Sequence, residues 1–376
     1  MAKTIYLDNG ATTALDPKVD ETIKNAPYGN PASTHSIGIE AKRALEEARH
    51  VIAKSIKAKD NEIIFTSGGT ESNNLAIKGL AFADNKKHII TTKIEHNCVL
   101  NACKWLETQE FKVTYLDTDK EGFISLEELE KAITEDTFLV SIIHGNNEIG
   151  TIQDLKQIYN ICKKHNVIFH TDACQSYTKT DLSAKHADLI TLNAHKIHGP
   201  KGVGALYIRK GIKITPLAHG GNHEEGLRSG TVNVPGIVGF AKAVQIAKKR
   251  HVRYMAKLRD YMIKEILKIP KTQLNGPEKN RLCNNINISF RYIEGESLGS
   301  FLDAKGICTS TGSACSSHSL EPSHVLMALE DNHERAHGSI RFTLSKYTKK
   351  EDIDYTLAEI KKTVKKLRRL SPLARV

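Results

Sequence analysis

Between Ser36 and Lys57 the segment SIGIEAKRALEEARHVIAKSIK spaces its apolar residues at helical intervals, which predicts an amphipathic helix. Beyond it the pattern changes to short β-branched runs separated by helical stretches. EIIFTS (62–67), HIITT (88–92), KVTYL (112–116), FLVSIIH (138–144), VIFHTD (167–172), LITLN (189–193) and GALYIR (204–209) read as strands. SLEELEKAI (125–133) and LKQIYNICKKHN (155–166) read as helices between them. Such alternation predicts an α/β fold whose sheet is mainly parallel and flanked by helices. From Ala241 to Leu267 the pattern becomes one long charged helix, and the remainder mixes strands (NINISF, GSIRFTL) with helices, an α+β pattern. A chain of 376 residues is too long for one small core. The expected division is a large domain over 16–249 and a smaller α+β domain formed by 1–15 and 250–376.

In an open α/β sheet the ligand site lies at the carboxyl ends of the strands, so the residues just past each strand carry the argument. After EIIFTS comes GGTESNN, where Gly68, Gly69 and Thr70 open a helix. Backbone N–H groups and the helix dipole make this an anion cup, although Gly-Gly-Thr is also a plain turn with a cap. No GK[ST] follows, which excludes a Walker loop. After VIFHT stands Asp172, with Gln175 three residues on. A carboxylate there is often only a cap, but it can also face a cation such as a pyridinium nitrogen. After LITLN comes AHKIHGPKG, in which Lys196 sits at a strand end beside the cup. Most lysines are solvated surface groups; one placed here can form a Schiff base. Thr70 for a phosphate, Asp172 for a ring nitrogen and Lys196 for an aldehyde are the three handles that pyridoxal phosphate requires.

Composition narrows the class. An apolar content of 40% with 26% charged residues fits an ordinary soluble protein, and the longest apolar runs are far too short to cross a bilayer. Seven cysteines, an odd number with no CxxC pair, argue against a disulfide framework or a zinc cluster and for a reducing compartment. No apolar leader opens the chain, and a cytoplasmic enzyme is expected. Much of the net charge of +11 sits in the last helix, in KKTVKKLRRL (361–370); along that helix Leu357, Ile360, Val364 and Leu367 form an apolar stripe and the cations take the other face. That face reads as solvated; its functional alternative is a docking site for an acidic protein or tRNA. No nucleic-acid-binding motif accompanies it, and neither direct nucleic-acid binding nor membrane attachment is expected.

Cys315 lies in STGSACSSHSLEP (310–322), a run of small polar residues with little to bury. A thiol placed there is expected on an accessible loop, with Gly312 as its hinge. Cys162 in a helical pattern and Cys308 in a strand pattern are expected in the core. Cys174 is expected to be turned away from the site by strand alternation. His35 and His198 are candidates for lining the site without catalytic roles.

The segments YLDNGATT, GNPASTH, FTSGGTESNNLAIKG, EHNCVL, NNEIGTIQDL, HTDACQS, AHKIHGPKG, HGGNHEEGLRSGT, GSACSS and SIRFTLS, spread from Tyr6 to Ser345, resemble group I cysteine desulfurases of the NifS/IscS type. These are pyridoxal-phosphate enzymes of fold type I within the class-V aminotransferases. The resemblance implies that Lys196 carries the cofactor, Asp172 pairs with its pyridine nitrogen and Gln175 reaches its ring oxygen. It implies that His96 stacks on the ring and shuttles protons. Gly69, Thr70, Asn193 and His195 would hold the phosphate, with Thr231 supplied by the other subunit of a homodimer. Asn147 and Arg341 would take the substrate carboxylate, and Cys315 would be the nucleophile that leaves L-cysteine with its sulfur as a persulfide, releasing alanine. The sulfur would pass to an iron–sulfur scaffold or to another acceptor for thio-cofactor or tRNA thiolation. No resident metal is implied, Cys315 itself being a transient ligand of a cluster on the scaffold.

Four features depart from the family pattern: Asn193 where serine is usual, Glu225 where arginine is frequent, Cys283 where proline is common, and an ending at SPLARV where many members continue with a docking tail. The alternatives are a selenocysteine lyase or another fold-type-I aminotransferase or lyase, and a non-enzymatic relative. An aminotransferase has no use for Cys315 in an open loop, and a non-enzymatic relative would be expected to lose Lys196 or Cys315.

Overall fold

The structure, a computed structural model, describes residues 4–311 and 321–372. After β1 (Ile5–Tyr6), seven strands build the main sheet: β2 (Ile63–Thr66), β3 (His88–Thr92), β4 (Lys112–Leu116), β5 (Thr137–Ser141), β6 (Ile168–Asp172), β7 (Leu189–Asn193) and β8 (Gly204–Ile208). Their order is β2-β8-β7-β6-β5-β3-β4. All run parallel except β8, which is antiparallel to both β2 and β7. The short 194–203 connection explains the reversal: it has no room for the crossover helix a parallel return would need. That same connection carries Lys196.

Period-two alternation divides the strand residues between two cores. Phe65, Ile90, Val140, Phe169, Ile190 and Tyr207 face the helices Ser36–Ser55, Leu155–Lys164 and Val234–Ile246. Their neighbours Ile64, Ile89, Leu139, Leu189, Leu206 and Ile208 face the helices Gly69–Ala81 and Asn97–Glu107. A sheet covered on both faces explains why the strands read as nearly continuous apolar runs.

Among the described residues the remaining strands are β9 (Thr272–Leu274), β10 (Asn285–Phe290), β11 (Ile307–Cys308) and β12 (Ser339–Thr343). β10 lies antiparallel between β12 and β9, and β1 pairs in parallel with β11. Ile5 and Leu7 enter one core with Leu258, Met262, Ile288, Phe342, Leu357 and Ile360. In the last helix, Lys350–Leu370, Leu357, Ile360 and Val364 are buried while Lys361, Lys362, Lys365 and Lys366 are exposed, as the stripe predicts.

The single helix expected over 241–267 is two. Val234–Ile246 ends where Ala247 and Lys248 turn extended, and Lys249–Ile266 follows. The reason is packing: Phe240 and Ala243 belong to the core of the main sheet, whereas Leu258, Met262 and Ile266 belong to the core that holds β10 and β12. A straight helix cannot present its stripe to both. Among the described residues no helix is long and apolar enough to cross a membrane.

Candidate active site

The carboxyl ends of β2, β3, β5, β6 and β7 open on one cavity of about 610 Å³. Gly69, Thr70, His96, Asn147, Asp172, Gln175, Asn193, His195, Lys196 and Arg341 all line it. Ten residues named from the sequence are therefore brought together by the fold. Thr231 is exposed and outside this lining, and Cys315 lies outside the described residues.

At one end, the helix Gly69–Ala81 points its N-terminus into the cavity without a side-chain cap on Gly68. Its free N–H groups make the anion cup. A Cβ on Gly69 would lie 2.6 Å from Cys174 Sγ and 3.6 Å from Asn193 Nδ2, so the floor of the cup admits only glycine without a shift. Asn193 is buried, its Nδ2 beside the cup and its Oδ1 without a hydrogen-bond partner among the described residues. The His195 ring contacts Thr12 Oγ1 at 3.1 Å; burial first, then Lys196, lowers its pKa to about 4, so the ring is neutral.

In the middle stands Asp172, 5% exposed. Oδ1 accepts from Cys174 N at 2.8 Å and Oδ2 from Asn73 Nδ2 at 2.8 Å. Burial would raise its pKa, but the Cys174 N–H, His96 and the Asn73 amide outweigh it and hold the carboxyl below its ordinary value. It is an anion aimed into a cavity that also holds Lys196. Gln175 Nε2 donates to Gly10 O at 2.8 Å, which fixes its amide.

At the other end Arg341, 3% exposed, comes from β12. Nη1 donates to Asn147 O and Nη2 to Asp8 Oδ1, both at 3.0 Å, while Nε and Asn147 Oδ1 have no partner among the described residues. His96 caps the helix Asn97–Glu107, its Nδ1 accepting from Cys98 N at 3.2 Å. Burial, followed by Lys196, lowers its pKa, leaving a neutral ring.

Three sequence expectations need correction. Cys174 is not turned away: it lies past the end of β6, where strand alternation no longer applies, and lines the cavity against Gly69. Burial, then Asp172, raises its thiol pKa well above normal, so it stays protonated. Cys308 lies in β11 but is half-exposed, because that two-residue strand edges the protein; Cys162 is fully buried. His35 and His198 do not line the cavity: the first caps the helix Ser36–Ser55 and the second packs edge-on against Tyr347.

Comparison with known proteins decides the family. The Aminotransferase class-V model matches residues 5–356. The chain is 52% identical over 383 residues to Cysteine desulfurase IscS of Dictyoglomus turgidum, spanning 99% of this chain and 97% of that one. This chain belongs to the cysteine desulfurase family. It is also 52% identical to Cysteine desulfurase IscS of Methanosarcina thermophila, over 99% and 94% of the two chains. A solved NifS-like protein superposes with a TM-score of 0.91 at 42% identity, covering 96% of this chain and all of that one. SspA in complex with cysteine superposes at 0.83 with 38% identity, over 92% and 100%.

Pyridoxal phosphate is the cofactor of this family, and the residues present fit it. A lysine amine, an anion cup and an ionised carboxylate share one cavity, and buried Asn193 has its donor Nδ2 beside the cup. Further cavity-lining residues escaped the sequence reading: Cys98, Glu148 and His324. Asn73 bonds Asp172 from behind. Its signal was its place one turn beyond Gly69 on the same helix face.

Proposed function

We propose that this protein takes sulfur from L-cysteine, releasing L-alanine and carrying the sulfur as a persulfide on Cys315. The observation that supports this best is a single cavity uniting Lys196, Asp172, the Gly69–Thr70 cup and Arg341, in a chain whose segment 310–322 bears a cysteine. Lys196 would hold the pyridoxal aldehyde, Asp172 the ring nitrogen, Gln175 the ring oxygen, and Gly69, Thr70, Asn193 and His195 the phosphate, with Thr231 donated by a second subunit. Bound there, the cofactor supplies an electron sink that acidifies a substrate Cα–H and loosens its Cβ–S bond.

The chain's own residues do the rest. Arg341 and Asn147 bind the substrate carboxylate; Asp8 and the Asn147 carbonyl hold the guanidinium, leaving Nε–H for the ligand. Lys196 Nζ takes and returns the Cα proton. His96, neutral at ordinary pH, carries a proton between solvent and the substrate thiol. The Cys315 thiolate attacks the substrate sulfur: a sulfur–sulfur bond forms, the carbon–sulfur bond breaks, and its electron pair remains on the carbon that becomes alanine's methyl group. A sulfur-acceptor protein, such as an iron–sulfur scaffold, would relieve Cys315 of its load. The arrangement is read as two lobes, 16–249 and 1–15 with 250–376, in a cytoplasmic homodimer.

Mass spectrometry of Cys315 after one turnover with cysteine tests this reading. One added sulfur on Cys315, absent in Cys315→Ser, is expected. A Cys315→Ser enzyme that still releases sulfide with dithiothreitol present would refute the nucleophile.

A further inference from the structure

The cavity contains a thiol that the proposed chemistry does not use. Cys98 stands two residues after His96, half-buried and in the cavity lining. Its Sγ lies 2.9 Å from His96 Nδ1 and 3.0 Å from Asn73 Nδ2. Asn73 Nδ2 is also 2.8 Å from Asp172 Oδ2. We propose that Asn73 and Cys98 form a directed hydrogen-bond chain from Asp172 to His96, which fixes the proton of the neutral His96 ring on Nε2. The proposal rests on the reading of His96 as the proton carrier of this site.

The direction follows one bond at a time. Ionised Asp172 only accepts, so Asn73 turns its NH2 and not its carbonyl towards it. One amide hydrogen goes to Asp172 and the other to the sulfur. Because Cys98 accepts there, its own S–H is left for His96 Nδ1. The Cys98 backbone N–H also donates to Nδ1 at 3.2 Å. With two donors aimed at Nδ1, the neutral imidazole keeps its hydrogen on Nε2, and a second proton can enter at Nδ1 only by breaking both contacts.

The thiol state agrees. Burial, then Asp172, pushes the Cys98 pKa up to about 12, so Cys98 donates a proton and does not compete with Cys315 for sulfur. The other titratable groups around the His96 ring are Lys196 and Asp172 across the cavity and His324 from the segment beyond 321. Glu95 precedes it in the chain and also acts on Cys98. Lys196 and His324 oppose a positive ring and Asp172 favours one. The chain through Cys98 adds to the opposing side. Asn73 and Cys98 are thus positioning residues: they act through His96 without touching substrate.

The test is nitrogen-15 NMR of the histidine rings in the holoenzyme, without substrate, with the His96 signals assigned by their loss in His96→Gln. The wild type should show the Nε2–H form and a depressed titration midpoint. Cys98→Ala, which keeps the backbone donor but loses the thiol, should mix the two tautomers. It should also raise the midpoint by roughly half to one pH unit, the worth of one hydrogen bond. Cys98→Ser should restore both, because a hydroxyl accepts from Asn73 and donates to Nδ1 as the thiol does. A wild-type His96 with its hydrogen on Nδ1 would overturn the proposal. So would identical His96 titrations in wild type, Cys98→Ala and Cys98→Ser. Failure of the catalytic reading would show elsewhere, as undiminished turnover in His96→Gln.

Discussion

The two ends of the cavity are built in different ways. The cup end comes from one rigid object: the Gly69–Ala81 helix start, Asn193 closing β7 and His195 just beyond it all belong to the main sheet and its helices. The Arg341 end is assembled from separate pieces: Arg341 on β12, Asn147 after β5, Asp8 after β1 and His324 from the segment beyond 321. A cofactor that stays bound suits fixed walls. A substrate that enters, reacts and leaves suits a wall whose members belong to different cores, because those can shift relative to one another at lower cost.

The largest effect should come from Lys196→Ala. Removing the amine that joins the two ends should cut turnover about a thousandfold or more and let the cofactor wash out on gel filtration, followed by its visible absorbance. Full activity in that variant would break the assignment of both ends. Gly69→Ala attacks the rigid end alone. Its Cβ would meet Cys174 Sγ at 2.6 Å, so cofactor retention should fall roughly tenfold or more by fluorescence titration. Pairing it with Cys174→Ala should recover part of that loss; no recovery would mean that the cup rejects the methyl for another reason.

Arg341→Lys probes the assembled end. A lysine cannot reproduce the fork held by Asp8 and Asn147, and kcat/KM for cysteine should drop about ten- to a hundredfold while cofactor absorbance stays intact. Loss of the cofactor as well would show that the two ends are not independent. The smallest effect concerns stability. Burial pushes the Glu95 pKa up to about 8, against the Ile143 N–H and the Thr92 hydroxyl. The folded chain therefore keeps a proton that the unfolded chain releases near 4.5, and stability falls as pH rises from 4.5 towards 8. Glu95→Gln should flatten that decline, gaining roughly a few degrees in Tm near pH 8 relative to wild type in calorimetry. Parallel Tm profiles would mean that Glu95 is charged in the fold.

Legibility in the sequence follows the same division. KVTYL and LITLN coincide with β4 and β7 because a short β-branched run bounded by turn residues marks a strand, whether it is buried as LITLN is or half-exposed at the sheet edge as KVTYL is. The cup, Asp172 and Lys196 are legible because each sits within a few residues of a strand end, where local order and position in space coincide. The break at Ala247 is not legible in the sequence, because helical periodicity records that a stripe exists and not which core receives it. The place of Cys174 is illegible for a related reason: strand alternation stops with β6 at Asp172.

What the chain determined alone was the set of elements and the chemistry stationed at their ends, since periodicity and turn residues act over a few positions. Tertiary structure decided which distant groups meet. Arg341 reaches Asp8 because the chain at Asp8 runs beside β12 through the Asp8–Thr343 bridge, and Cys98 meets Asn73 only where two helices pack on the same face of the sheet. Those contacts depend on orientation to within an ångström, which no spacing along a chain encodes.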